Sequence, residues 1–301
     1  MTRYTKNGLR YAVTEAGRGA PLILLHGFTG SADGWEPLAR RLADRHRLIA
    51  IDLPGHGRSD APRDATRYRM ERVAADLAAL LVDRDAAPAD WLGYSMGGRL
   101  ALYCAIEYPH LVRRLVLESA SPGLTGTLER EARVAEDEAL AARIERQGVA
   151  AFVNYWESLP LFASQARLPE ATRAAQRAQR LDNNPLGLAN SLRGMGTGVQ
   201  PPLWPRLPEL ARPALLVVGE LDEKFVAINR RMAAALPDGR LAVAPDAGHA
   251  VHLERPAWFS AAVGGFLEAE QALTTGSADF RTPGQEPGQL AKPGRAEDPW
   301  C

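Results

Sequence analysis

The chain has 301 residues, 46% of them hydrophobic, the make-up of an ordinary soluble globular protein and enough length for one large α/β domain with an insertion. Its 36 Lys plus Arg balance 36 Asp plus Glu, for a formal charge of +0. That balance excludes a long-range pull toward nucleic acid or an anionic membrane, so any recognition of anions must come from local clusters of arginine.

Residues 9–14 alternate and predict an early strand. The run Pro21-Leu22-Ile23-Leu24-Leu25 reads as a strand buried on both faces, closed by His26-Gly27. A helix is expected over 34–43, then a strand over 48–51 that ends in Asp52-Leu53-Pro54-Gly55-His56-Gly57. Helical spacing over 67–82 precedes a strand at Trp91-Leu92-Gly93, a helix over 96–108 and a strand at Leu115-Val116-Leu117. Strands alternating with helices imply a parallel sheet covered on both faces. The rhythm stops over 119–205, which is rich in Arg, Ala and Glu, has helical spacing and carries no strand signal. It resumes at 214–219 and 241–243. The expected organisation is therefore a core of 1–119 and 206–272 with a helical cap, 120–205, inserted over the active edge of the sheet. Residues 273–301, rich in Gly, Pro and charge, are expected to form a disordered tail.

Cys104 falls in a predicted buried helix and Cys301 ends the tail, so neither a disulfide framework nor a zinc site is expected. The first seven residues are polar, unlike a secretory leader, and no run approaches the ~18 apolar residues of a membrane span. A cytoplasmic protein without membrane insertion is the expectation; the sequence does not fix its oligomeric state.

Gly93-Tyr94-Ser95-Met96-Gly97 matches G-x-S-x-G between a predicted strand and a predicted helix, the setting of a nucleophile elbow. The residue after the serine, Met96, supplies one backbone N–H for a developing oxyanion. The loop His26-Gly27-Phe28-Thr29-Gly30 supplies the other, from Phe28. The acid and base should follow in the order Asp, then His. Gly219-Glu220-Leu221-Asp222 and Ala247-Gly248-His249 end successive strand segments, which makes Asp222 and His249 the partners of Ser95. Glu220 and His252 are the alternatives, and His56 is placed near the rim of the site as a loop-shaping residue. This constellation is that of the α/β-hydrolase fold: a mostly parallel central sheet, helices on both faces and an inserted helical cap.

Arg99 lies one turn beyond Ser95 on the same helical face, where it would set a fixed cation over the nucleophile; a neutral-ester hydrolase has no need of one. The string running from Gly93 to Arg99, together with Glu118-Ser119-Ala120-Ser121-Pro122-Gly123-Leu124 and Gly219-Glu220-Leu221-Asp222-Glu223-Lys224-Phe225, resembles the MenH family. These are the 2-succinyl-6-hydroxy-2,4-cyclohexadiene-1-carboxylate synthases of menaquinone biosynthesis. Pro160-Leu161-Phe162-Ala163, Asn183-Asn184-Pro185 and Ser191-Leu192-Arg193-Gly194 extend the resemblance into the cap, and it covers about residues 20–268. The elbow and the histidine loop are common to the whole superfamily; Arg99 and the cap strings are more specific.

The resemblance implies a lyase that expels pyruvate from a tricarboxylate, 2-succinyl-5-enolpyruvyl-6-hydroxy-3-cyclohexene-1-carboxylate, with no metal or organic cofactor and with the triad serine acting as a base. It also implies carboxylate-binding roles for Arg99, Arg133 and Arg180, and positions lining the site for Tyr94 and Trp156. Arg177, near Arg180 on the same predicted helix, competes for the last arginine role. Two other readings stay open: a hydrolase of the same fold cleaving an ester or carbon–carbon bond of an acidic substrate, and a ligand-binding receptor that keeps a slow triad.

Overall fold

The computed structural model describes residues 1–275. One eight-stranded sheet organises them. In chain order its strands are β1 (Thr2–Lys6), β2 (Leu9–Ala16), β3 (Ala20–Leu25), β4 (His46–Ile51), β5 (Ala89–Tyr94), β6 (Val112–Glu118), β7 (Ala214–Gly219) and β8 (Gly239–Ala244). In space the order is β1-β2-β4-β3-β5-β6-β7-β8. The β1/β2 and β2/β4 pairs are antiparallel and all the others parallel. The chain leaves β3 for β4 on one side and returns to β5 on the other, so the order reverses between β3 and β5, where Leu25 pairs with Gly93. Ligands of open α/β sheets bind outside the strand ends at such a reversal. Leu22, Ile23, Leu24 and Leu25 are wholly buried, as an apolar run covered on both faces requires.

Strand β1 is not marked by the sequence, in which residues 1–7 are simply polar. Its side chains are mostly exposed, so no apolar alternation marks it. Asn7 and Gly8 both take positive φ, 49° and 78°, the combination a two-residue hairpin turn needs, and this folds β1 onto β2.

Helices α1 (Glu36–Leu42), α2 (Met70–Asp83) and α3 (Met96–Glu107) follow β3, β4 and β5. The expected helices over 34–43 and 67–82 each begin with a short 3-10 turn, Ala32–Trp35 and Ala65–Tyr68. Between β6 and β7 lie α4 (Thr127–Glu157), α5 (Glu170–Leu181) and α6 (Pro185–Met195), with a 3-10 segment, Pro160–Arg167, between α4 and α5. After β7 come α7 (Glu223–Ala235), then α8 (Val251–Glu254) and α9 (Pro256–Thr275). Helix α9 carries regular structure past residue 272, where the core was expected to end. The rest of the expected tail, from residue 276, lies outside the described residues.

Two apolar clusters flank the sheet. One packs α2, α3 and α7 against it through Leu77, Leu80, Leu100 and Met232; the other packs α1 and α9 through Leu38, Leu42, Phe259 and Val263. The inserted helices have a core of their own, including Ile144, Phe152, Trp156, Phe162 and Leu188, and Phe28 of the loop after β3 packs against it. Gly148 interrupts α4 with φ 78° and ψ 170°. At the loop after β4, Gly55 meets Gly187 of α6 so closely that a Cβ on Gly187 would lie 2.4 Å from the Gly55 carbonyl oxygen. Among the described residues no helix is long and apolar enough to cross a membrane.

Candidate active site

All six parallel strands end at one edge, and the sheet therefore delivers the expected chemistry to one place. Strand β5 runs into Ser95, which has φ 49° and ψ −109°. That sharp turn between strand and helix lifts the side chain clear of the sheet. It is possible only because its neighbours lack side chains: a Cβ on Gly93 would lie 2.3 Å from Gly97 O, and one on Gly97 would lie 2.3 Å from Leu25 O.

Asp222 follows β7 and caps α7, its Oδ1 accepting from the Phe225 N–H at 3.4 Å. His249 follows β8. The two loops are tied by the Leu221 N–H, which donates to Ala247 O at 2.9 Å. His249 Nδ1 lies 2.7 Å from Asp222 Oδ2, and His249 Nε2 lies 3.1 Å from Ser95 Oγ. An ionised Asp222 only accepts, so Nδ1 carries the proton and Nε2 is left to accept from the serine hydroxyl. His249 is 2% exposed, with the Phe225 ring edge-on at 4.7 Å. Glu220 is exposed and accepts from the Asp246 N–H at 3.2 Å, away from the histidine. His252 is held by Glu118, 2.8 Å from Nδ1 to Oε1, instead of facing Ser95.

Met96 is the first residue of α3, where N–H groups have no partner from a preceding helical turn. Phe28 and Met96 both line the cavity that holds Ser95 and His249. The Phe28 loop is anchored by His26, whose Nδ1–H donates to Gly27 O at 2.8 Å while Nε2 accepts from the Leu53 N–H at 3.0 Å. Burial lowers His26 to about 4, so the ring is neutral, as that bonding pattern demands. His56, expected near the rim, is instead buried beneath the Phe28 ring, centroids 5.7 Å apart. The correction has a simple cause: the loop after β4 turns inward under α6, to which Gly55 is pressed.

The site has two adjoining chambers that share Phe28, Tyr94, Trp156 and Phe162. The first holds Ser95, His249, Arg99 and Arg133. Arg99 Nη1 donates to Gln200 Oε1 at 2.9 Å, and Arg133 Nε to Asp137 Oδ1 at 2.9 Å. Burial, and then the neighbouring Arg133, lower Arg99 to about 10; it keeps its charge at neutral pH but lies where a bound anion would be strongly favoured. Burial raises Asp137 against the pull of Arg133.

The second chamber holds Arg180, Gln165 and His252. Arg180 and Arg177 divide the two carboxylate oxygens of Glu157, at 3.0 and 2.5 Å. Arg180 is buried and faces the chamber, its guanidinium 5.5 Å from the centre of the Phe162 ring. Arg177 turns to the outer surface and also donates to Asn154. Trp156 closes the wall between the chambers, and its buried Nε1 has no partner among the described residues.

Residues 20–256 match the family model described as alpha/beta hydrolase fold. A Bacillus subtilis (strain 168) protein, named provisionally as a 2-succinyl-6-hydroxy-2,4-cyclohexadiene-1-carboxylate synthase, is 49% identical over 263 residues, 87% of this chain and 96% of that one. The synthase of the same name from Serratia proteamaculans (strain 568) is 36% identical over 82% of this chain and 92% of its own. The chain belongs to the MenH family. The solved structure of MenH from S. aureus superimposes with a TM-score of 0.83 at 38% identity, covering 87% of this chain and 98% of that chain.

Within this MenH fold, three polar residues that brace site side chains are not singled out by the sequence. Gln200, 1% exposed, accepts from Arg99 and donates to Ser121 O at 3.3 Å. Gln165 lies beside Arg180, and Glu118 beneath His252. A lone Gln outside the strands and long helices follows no periodicity, and of the three only Glu118 falls within a segment that resembles the MenH family.

Proposed function

We propose that the chain is a carbon–oxygen lyase that eliminates pyruvate from 2-succinyl-5-enolpyruvyl-6-hydroxy-3-cyclohexene-1-carboxylate to give 2-succinyl-6-hydroxy-2,4-cyclohexadiene-1-carboxylate. The observation that carries the reading is the pairing of a Ser95–His249–Asp222 relay with Arg99 and Arg133 in one apolar cavity and Arg180 in the next. A substrate with three carboxylates needs three cations, and the planar guanidinium grips a carboxylate with two parallel hydrogen bonds.

The chemistry follows from the two ring names. The proton at ring position 2 is acidic because it lies next to the succinyl carbonyl. Ser95 Oγ removes it as its own proton passes to His249 Nε2, and Asp222 steadies the imidazolium. Charge that spreads onto the succinyl oxygen is received by the N–H groups of Phe28 and Met96. The carbanion pair forms the 2,3 double bond, the old 3,4 pair moves to 4,5, and the bond from ring carbon 5 to oxygen breaks. The leaving enolate takes up one proton at carbon and departs as pyruvate. The sequence is redox-neutral, consumes no water and calls for no metal or organic cofactor, which suits a cytoplasmic biosynthetic enzyme. Residues 120–205 act as the cap that supplies Arg133, Trp156 and Arg180 over the core.

The test is pyruvate release from the enolpyruvyl substrate, with mass spectrometry of rapidly quenched enzyme. Stoichiometric pyruvate and an unmodified Ser95 support the lyase. An acyl adduct on Ser95 with net consumption of water would move the assignment to a hydrolase of acidic substrates.

A further inference from the structure

We infer that Gln165 is a carboxylate-binding residue of the second chamber, its amide NH2 and the Arg180 guanidinium jointly receiving one carboxylate of the substrate. The inference rests on the tricarboxylate reading above and adds a residue to it.

Gln165 sits in the 3-10 segment Pro160–Arg167 and is 6% exposed. Its Oε1 accepts from Arg180 Nη2 at 3.3 Å. A guanidinium can only donate, so this contact fixes which end of the amide faces Arg180. The NH2 end is thereby turned away from the guanidinium. Nε2 is buried and has no hydrogen-bond partner among the described residues. Buried polar groups are nearly always paired, so an unmet donor in a ligand chamber calls for an acceptor from the ligand.

The surroundings decide which acceptor. Gln165 and Arg180 stand together in the wall between the inner chamber and the outer groove of α5. Glu157 holds Nη1 of Arg180, leaving Nη2 on the long contact to Gln165. A cation is repelled here, and an apolar group leaves the NH2 unmet. A carboxylate, with two oxygens in one plane, accepts from Nη2 and from Nε2 at once.

The competing role for Gln165 is purely positional, a prop for Arg180. Two substitutions in the full chain separate the roles. Gln165→Leu removes the amide, and Arg180→Met removes the cation that a prop would serve. For the synthase reaction, Gln165→Leu should raise KM about tenfold with kcat within about twofold, and should do so again in the Arg180→Met background. Melting temperatures within a few degrees of the parent establish that each variant folds. An unchanged KM in the otherwise native chain overturns the inference. So does an effect that vanishes once Arg180 is gone, since that is the signature of a prop. If the native chain releases no pyruvate, the synthase reading has failed on its own, and calorimetric titration with succinate decides Gln165. About tenfold weaker binding in Gln165→Leu supports the carboxylate site; equal binding overturns it.

Discussion

Ser95 is held in a backbone conformation that few side chains tolerate, φ 49° and ψ −109°, and the fold maintains it through the glycines on either side. Its hydroxyl contributes no packing, so Ser95→Ala should leave the melting temperature within a degree or two while kcat falls by about three powers of ten or more. His249→Ala should cost about as much, and the double variant little more than either single one, because proton removal needs both groups together. Steady-state kinetics of the three variants checks this; additive losses would mean the two residues act separately. Arg99 should behave differently. Arg99→Ala should raise KM about ten- to a hundredfold, the equivalent of one charge-assisted contact, and Arg99→Lys should restore only part of it. Gln200 presents one acceptor to Arg99, fitting a fork already aimed at the cavity.

At the scale of elements, the cap meets the core where α6 crosses the loop after β4. Gly55 and Gly187 touch backbone to backbone, and no side chain fits between them. Gly187→Ala should therefore lift α6, lower stability by about 1–3 kcal/mol and raise KM, which urea denaturation and kinetics would register together. Much of this level was legible in the chain. The buried run of β3, the elbow and the Asp and His loops announce themselves because burial on both faces and tight strand-to-helix turns demand particular residues at fixed spacing. Strand β1 was not legible, since an edge strand with exposed polar side chains carries no alternation. Arg177 and Arg180 could not be separated either. They share a helix and both pair with Glu157; what divides them is that Arg180 is buried against the second chamber while Arg177 turns to the outer surface.

The whole molecule carries a pH response outside its catalytic groups. Burial lowers His26 to about 4 and His56 to about 3, and pushes His46 the same way. In the unfolded chain these rings titrate near the ordinary value of about 6.5. Below that pH the unfolded state takes up protons that the folded state refuses. Stability is thus complete above about pH 6.5 and falls as the pH drops toward 4, by about 1.4 kcal/mol per unit for each of His26 and His56, with His46 acting in the same direction. Urea midpoints at pH 7, 6 and 5 should trace that slope, and His56→Gln should flatten it; a flat profile in the native chain would refute it. The break at Gly148 works at the same scale. A Cβ there would meet nothing within 4 Å, so its glycine answers to backbone angle alone, in a region essentially closed to other residues. Arg133 rides on the helix arm before the break, while Trp156 and Glu157, the partner of Arg180, ride on the arm after it. The two arms are the jaws of a caliper. The span between Arg133 and the Glu157–Arg180 pair is thereby set by a residue that lines neither chamber.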